Sequence, residues 1–165
     1  MLRPLVLASG SPRRRLFLES AGLHFEILPA SCPEPRPVPG EDPRHYAGRC
    51  AESKARSVLA SLAHRQDRPA VLSADTIVIL RDEKGASILG KPRDRDDAAD
   101  MLFRLCGRTH EVVTSCCLAM DDHTERFDDM TEVTFAPWPR SVLEAYAHSG
   151  APLDKAGSYS IHDGG

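Results

Sequence analysis

Residues 70–80 read Ala-Val-Leu-Ser-Ala-Asp-Thr-Ile-Val-Ile-Leu and form the strongest strand signal in the chain. Their valine, isoleucine and leucine content predicts a buried strand within a sheet. Asp75 stands in the middle of this run. Because aspartate is disfavoured in strands and a buried unpaired carboxylate is costly, Asp75 needs a metal, a cationic partner or a part in proton transfer. The alternative is an aspartate at a strand end that caps a turn.

Helices and other strands surround this central segment on both sides. Further strands are predicted at residues 5–8, 24–28, 86–89, 109–120, 126–136 and 156–161. Helices are predicted at residues 12–21, 43–63, 95–106 and 140–148 from helical spacing and start signals. Strands and helices intermix without strict alternation, which predicts an α/β fold with a mixed sheet and flanking helices. The length of 165 residues suits one compact domain.

Composition and charge exclude several classes of partner. The chain has 21 basic and 24 acidic residues and no long basic run, which argues against binding to nucleic acid or anionic membranes. No apolar stretch approaches the roughly 20 residues that span a bilayer, and no signal peptide is evident, so a cytoplasmic enzyme is expected. The cysteine count is odd, at five, and C-x-x-C is absent, which argues against a disulfide framework or a zinc site and predicts small hydrophobic residues that stay reduced.

The first motif with chemical meaning is Ser9-Gly10-Ser11-Pro12-Arg13-Arg14, between a predicted strand and a helix. Free backbone N–H groups at a helix start, together with hydroxyl and guanidinium groups, form a suitable environment for phosphate oxygens. The alternative is an ordinary capped helix with solvated arginines.

Two lysine-containing loops are further candidates. Residues 85–91 match G-x-x-x-x-G-K, but Pro92 replaces the serine or threonine of a phosphate-binding P-loop and disfavours a helix there. Lys91 is therefore either an isolated phosphate ligand or a surface lysine in a turn. Residues 154–157, Asp-Lys-Ala-Gly, read on their own as a charged loop.

Taken in order, these motifs resemble the Maf family of nucleoside triphosphate pyrophosphatases. The matching segments are Leu-Ala-Ser-Gly-Ser-Pro-Arg-Arg at 7–14, Lys-Ala at 54–55, Ala-Asp-Thr at 74–76, Gly-Lys-Pro at 90–92, Thr-His-x-Val-x-Thr at 109–114 and Asp-Lys-Ala-Gly at 154–157. They cover nearly the whole chain. His110 is singled out from the other histidines only through this resemblance.

The resemblance implies a mixed α/β fold of Maf/ITPase type with two lobes around a nucleotide cleft, and commonly a homodimer. It implies hydrolysis between the α and β phosphates of a nucleoside triphosphate, dependent on Mg²⁺ or Mn²⁺. Asp75 would be the catalytic carboxylate, and Glu34 and Asp75 would hold the metal. The implied substrate-binding residues are Ser9, Arg13, Arg14, Lys54, Thr76, Lys91, Asp154, Lys155 and His162.

Within the family, Arg13 and Thr76 resemble the branch that acts on dTTP and UTP rather than the branch that acts on 7-methyl-GTP. His162 stands where the family usually has glutamine near the nucleotide, which bears on base preference. Relatives continue beyond the position of Gly165, so we expect a single Maf-like domain over residues 1–165 that lacks a C-terminal strand and helix.

Two other functions remain open at this point. One is a nucleotide-binding regulator of cell division and septum formation without significant turnover. The other is a phosphate-binding hydrolase of a different kind, such as a phosphomonoesterase, which would release orthophosphate instead of pyrophosphate.

Overall fold

The computed structural model describes residues 3–83 and 85–161. The strands in these residues are β1 (Leu5–Leu7), β2 (Phe25–Ile27), β3 (Ala70–Asp82), β4 (Gly85–Leu89), β5 (Thr109–Met120) and β6 (His123–Thr134). The helices are α1 (Pro12–Ser20), α2 (Pro43–Ser61), α3 (Arg95–Leu105) and α4 (Arg140–His148), followed by short 3-10 helices at Ala151–Asp154 and Ala156–Ser158. Among the described residues, no helix is long and apolar enough to cross a membrane.

The strands form one mixed sheet in the order β2-β1-β3-β5-β6, and β4 pairs with β3. Strand β1 is parallel to both β2 and β3, with Leu5 opposite Phe25 on one side and Ala70 on the other. Strand β4 is antiparallel to β3. The prediction of an α/β fold with a mixed sheet and flanking helices is confirmed.

The chain divides into two compact units. The first comprises residues 1–75 and 114–129, and the second comprises residues 76–113 and 130–165. The core of the first unit joins α2 to strands β1, β3 and β5 through buried small and branched side chains: Val6, Ala8, Ala51, Ala55, Val58, Val71, Cys117 and Ala119.

The second unit has two buried clusters. One packs α3 against α4, through Ala98, Ala99, Leu102, Leu143 and Ala147. The other packs α3 against β3 and β4, through Val78, Leu80, Leu89 and Leu105. Alternation along β3 and helical spacing along α3 account for these apolar faces.

Two sequence predictions differ from the structure. The strand predicted at residues 156–161 is wrong, because Gly157 and Ser158 have left-handed φ angles of 66° and 65° and the segment contains a 3-10 helix. Strand β6 begins at His123, three residues before the prediction, because its turn is a tight one around Asp121, with φ 51°. Because the first residues of this exposed strand are polar, alternation of apolar residues does not indicate where the strand begins.

Candidate active site

Asp75 is buried on the face of β3 that packs against α2. Strand alternation places Ser73 and Asp75 on the same side. The buried Ser73 hydroxyl donates a hydrogen bond of 2.6 Å to the carbonyl oxygen of Ala51 in α2. One turn further along α2, the Lys54 ammonium donates a hydrogen bond of 2.6 Å to Asp75 Oδ1. The cationic partner that a strand aspartate requires is therefore Lys54.

Lys54 also holds Glu34, which belongs to the proline-rich segment between β2 and α2. The distance from Lys54 Nζ to Glu34 Oε1 is 2.7 Å. Burial alone lowers the pKa of Lys54, but the charge of Asp75 and the hydrogen bonds to both carboxylates outweigh it, so the pKa is raised above its ordinary value. Lys54 is therefore a fully charged ammonium between two carboxylates.

Ser9 and Arg14 form a second contact in the same unit, at the turn from β1 into α1. The Ser9 hydroxyl oxygen accepts hydrogen bonds from Arg14 Nη1 at 3.1 Å and from the backbone N–H of Ser11 at 3.2 Å. Burial lowers the pKa of Arg14, and the attraction of Asp75 opposes that shift. Arg13 is half-buried, and its positive charge lowers the pKa of Arg14 further.

The start of α1 has the form that the sequence predicts, with one difference. Ser11 is the N-cap and Pro12 follows it, but the Ser11 side chain makes no capping hydrogen bond. Instead, the Ser9 hydroxyl oxygen accepts a hydrogen bond from the backbone N–H of Ser11. Because the first backbone N–H groups of a helix have no partner within the helix, this end of α1 can donate to an anion.

The structure thus gathers several sequence-predicted residues within the first unit: Ser9, Arg13, Arg14, Glu34, Lys54 and Asp75. The arrangement is a buried carboxylate that contacts one partly buried ammonium and attracts one partly buried guanidinium. Such a cluster can bind the negative oxygens of a phosphate while a carboxylate accepts a proton from water. Sequence reasoning missed Ser73, whose only signal is its position two residues before Asp75 in a strand.

The other predicted residues belong to the second unit. Thr76 is half-buried in β3, and Lys91 is exposed in the turn after β4. The Lys155 ammonium donates to Asp154 Oδ1 at 2.8 Å and to the carbonyl oxygen of Ala151, so this lysine holds its own loop together. Their role as substrate ligands stays a prediction. His162 lies outside the described residues.

Gly157 joins the loop that contains Lys155 to the turn that contains Lys91. Its backbone N–H donates a hydrogen bond of 3.0 Å to the carbonyl oxygen of Gly90. Two motifs that are more than sixty residues apart in sequence are therefore adjacent in the second unit. Residues 85–92 comprise β4 and the turn after it, and no helix begins there. This agrees with the sequence argument that Pro92 rules out a phosphate-binding P-loop.

His110 is buried in the second unit and faces two aromatic rings. Its Nε2 lies 2.6 Å from the Tyr159 hydroxyl oxygen, and the rings of Phe135 and Tyr159 pack edge-on against it. Burial lowers the pKa of His110, and the nearby backbone of Arg108 only partly opposes this shift. Tyr159 is a residue that sequence reasoning left without a role, and nothing in its local pattern indicates that it pairs with His110.

The two carboxylates suit a divalent cation that shares its coordination with a ligand. Among the described residues, no group of three or more His, Cys, Asp or Glu side chains could hold a metal. Glu34 and Asp75 nevertheless converge on one point, because an oxygen of each is hydrogen-bonded to the same ammonium. Mg²⁺ is commonly held by one or two carboxylates, with waters and substrate phosphates as its other ligands. The donor set fits such an ion.

This fold is found in a solved structure of a HAM1 protein from Coxiella burnetii. The TM-score is 0.59 at 15% identity, and the match covers 84% of this chain and 75% of that one. At this level of identity, the likeness concerns the fold alone. The chain is thus an α/β protein of HAM1-like fold with a carboxylate and cations gathered in its first unit.

The sequence comparisons identify the family. Residues 4–165 match the family described as Maf-like protein, and the chain belongs to the Maf family. A dTTP/UTP pyrophosphatase from Nitratidesulfovibrio vulgaris is 46% identical over 159 residues, which cover 96% of this chain and 72% of that protein. A dTTP/UTP pyrophosphatase from Myxococcus xanthus is 45% identical over 161 residues, which cover 98% and 77%.

Proposed function

We propose that this chain is a nucleoside triphosphate pyrophosphatase that acts on dTTP- and UTP-type nucleotides and releases pyrophosphate and a nucleoside monophosphate. The observation that carries the proposal is the buried Asp75 carboxylate, held by the Lys54 ammonium and attracted by Arg14. The similarity to proteins named dTTP/UTP pyrophosphatase supports the choice of reaction and substrate.

The site residues divide the chemistry between them. Attack of water on a triphosphate needs cations on the phosphate oxygens and a base for the water proton. Arg14 and Lys54 provide the cations, and the Ser9 hydroxyl and the start of α1 provide further donors. Asp75 orients the attacking water and accepts its proton.

We propose Glu34 and Asp75 as the ligands of the divalent cation, Mg²⁺ or Mn²⁺. When bound, such an ion neutralises charge on the phosphates and on the pyrophosphate that leaves. The two carboxylates are its only protein ligands in this proposal. A chelator should therefore abolish turnover, and Glu34→Gln should raise the metal concentration that is needed for half-maximal rate.

The decisive experiment measures pyrophosphate release from dTTP and UTP, with CTP and 7-methyl-GTP as comparison substrates. A positioned general base contributes about 10²–10⁴-fold, so Asp75→Asn should lower kcat/KM by at least about a hundredfold. Asp100→Asn is the matched control, because Asp100 is an exposed aspartate on α3. It should leave the rate within about twofold.

The outcomes separate this function from its alternatives. Orthophosphate as the first product would indicate a phosphomonoesterase. Nucleotide binding without pyrophosphate release would favour a regulator of cell division. Retention of full activity in Asp75→Asn would contradict the assignment of the catalytic carboxylate.

The remaining predicted ligands are kept as proposals that need their own variants. Lys91→Met and Lys155→Met should raise KM more than they lower kcat if these lysines bind phosphate oxygens. Arg13 and Thr76 are proposed to favour pyrimidine nucleotides, and His162 to modify that preference. The homodimer that the family resemblance implies is a further prediction, which light scattering coupled to gel filtration would check.

A further inference from the structure

A single ammonium holds both carboxylates of the candidate metal site. Lys54 Nζ lies 2.6 Å from Asp75 Oδ1 and 2.7 Å from Glu34 Oε1. The side chains of Lys54 and Asp75 are only 19% and 12% exposed, whereas that of Glu34 is 59% exposed. Water therefore has little access to the Lys54–Asp75 contact, and the ammonium donates a hydrogen bond to one oxygen of each carboxylate.

A divalent cation held by Glu34 and Asp75 would draw on the same two carboxylates as Lys54. Mg²⁺ binds carboxylate oxygens at about 2.0–2.1 Å and demands a nearly regular octahedral shell. An ammonium within 2.7 Å of an oxygen of each carboxylate already takes up one acceptor site of both. Two positive groups would also repel one another strongly in a region that is shielded from water. The contacts of Lys54 and the binding of a metal ion therefore oppose one another at these two carboxylates.

Lysine is well suited to leave such a position. Its ammonium is a compact charge on a flexible stem of four carbons, whereas a guanidinium would remain in a rigid two-pronged contact. The oxygens of a triphosphate are alternative acceptors for it. Arg14, which is half-buried and attracted by the charge of Asp75, would still act on the carboxylate when the ammonium moves.

We propose that Lys54 is an internal cation that competes with the divalent metal for Glu34 and Asp75 and gives way to it when a nucleotide's phosphates accept the ammonium. The inference deepens the proposed function and rests on it for the identity of the phosphate ligand. Free metal binds weakly to the nucleotide-free protein, and metal arrives together with the triphosphate. In the resting protein Lys54 satisfies the buried Asp75 carboxylate and so prevents an unpaired charge.

The test measures Mn²⁺ binding to the nucleotide-free full chain by isothermal titration calorimetry, with no substrate present. Lys54→Met should bind Mn²⁺ about tenfold or more tightly than the unaltered protein, because the competing charge-assisted hydrogen bonds are gone. Adding Glu34→Gln to Lys54→Met should remove most of this gain.

Arg56→Met is the matched control. Arg56 lies two residues after Lys54 in α2 and pairs with Glu52 instead, at 2.8 Å. Its loss removes one positive charge from the same helix without touching the two carboxylates. Mn²⁺ affinity should change by less than about twofold in this variant, since exposed charges act weakly at a distance. An equal gain in both variants, or no gain in Lys54→Met, would overturn the proposal.

A second measurement covers the case in which Lys54→Met does not fold. The chain has only four lysines, so the side-chain NH₃⁺ signal of Lys54 can be followed by NMR in the unaltered protein with ¹⁵N-labelled lysine. Saturation with Mg²⁺ should shift or broaden this signal by release of the ammonium. A Lys54 signal that stays unchanged at saturating Mg²⁺ would refute the competition between Lys54 and the metal. Absence of pyrophosphate release would instead refute the proposed enzyme, and the metal-binding measurements would still stand.

Discussion

Replacement of Gly157 by alanine tests how the loop that contains Lys155 is held in the second unit. An added Cβ would lie 2.7 Å from Val78 Cγ2 and 3.0 Å from Val78 Cβ, both closer than normal van der Waals contact. Gly157 also has a φ of 66°, in the left-handed region that disfavours residues with a Cβ. The same residue donates its N–H to Gly90, so a shift of the loop would weaken that hydrogen bond.

The expected loss has two parts. The left-handed conformation costs about 1–2 kcal/mol for a residue other than glycine. The contact with Val78, a buried β-branched residue that cannot move easily, adds about 1–3 kcal/mol of overpacking. Gly157→Ala should therefore lower the free energy of unfolding by about 2–5 kcal/mol, a large part of the roughly 5–15 kcal/mol of a typical domain.

Urea denaturation followed by circular dichroism measures this loss, with Gly22→Ala as the control. Gly22 has a similar φ of 72°, but nothing lies within 4 Å of the Cβ it would gain. The control should therefore lose only the conformational part, about 1–2 kcal/mol. If Gly157→Ala costs no more than Gly22→Ala, the contact with Val78 does not constrain the loop and the reasoning fails. The variant should also show weaker binding of nucleotide if Lys91 and Lys155 are ligands.

Two further predictions concern stability. Burial lowers the pKa of His110 below its ordinary value of 6.5, so the folded state prefers the neutral ring. Its contribution to stability is complete above about pH 6.5, the unfolded-state value, and is lost progressively as the pH falls below 6.5 and through the lowered folded-state pKa. The urea midpoint should fall as the pH is lowered from 8 to 5. This fall should be smaller in His110→Gln and unchanged in the exposed control His148→Gln. The same pH dependence in both variants would show that His110 is not its source. Asp42 caps α2 by accepting from the backbone N–H of Arg44 at 2.8 Å, and Asp42→Ala should cost about 0.5–2 kcal/mol in the same assay, whereas an unchanged urea midpoint would show that the cap is not needed.

Local pattern was sufficient for most of the secondary structure. Apolar runs and helix start signals predict strand β3 and helices α2, α3 and α4 within a few residues of their observed ends. These features depend on neighbours in sequence, which is why a single chain reveals them. Local pattern failed at residues 156–161, where it predicts a strand. Gly157 and Ser158 are both left-handed there, and this conformation depends on contacts with Gly90 and Val78 that are distant in sequence.

The same division applies to the candidate site. The sequence by itself determined that Asp75 needs a partner, because a carboxylate inside an apolar strand has no local means of compensation. It also supplied, through the family resemblance, the set of residues from which that partner came. Only the tertiary structure decided that the partner is Lys54 and that the same ammonium also holds Glu34. Contacts between residues about twenty positions apart depend on how α2 packs on the sheet, and no periodicity in the chain encodes that geometry.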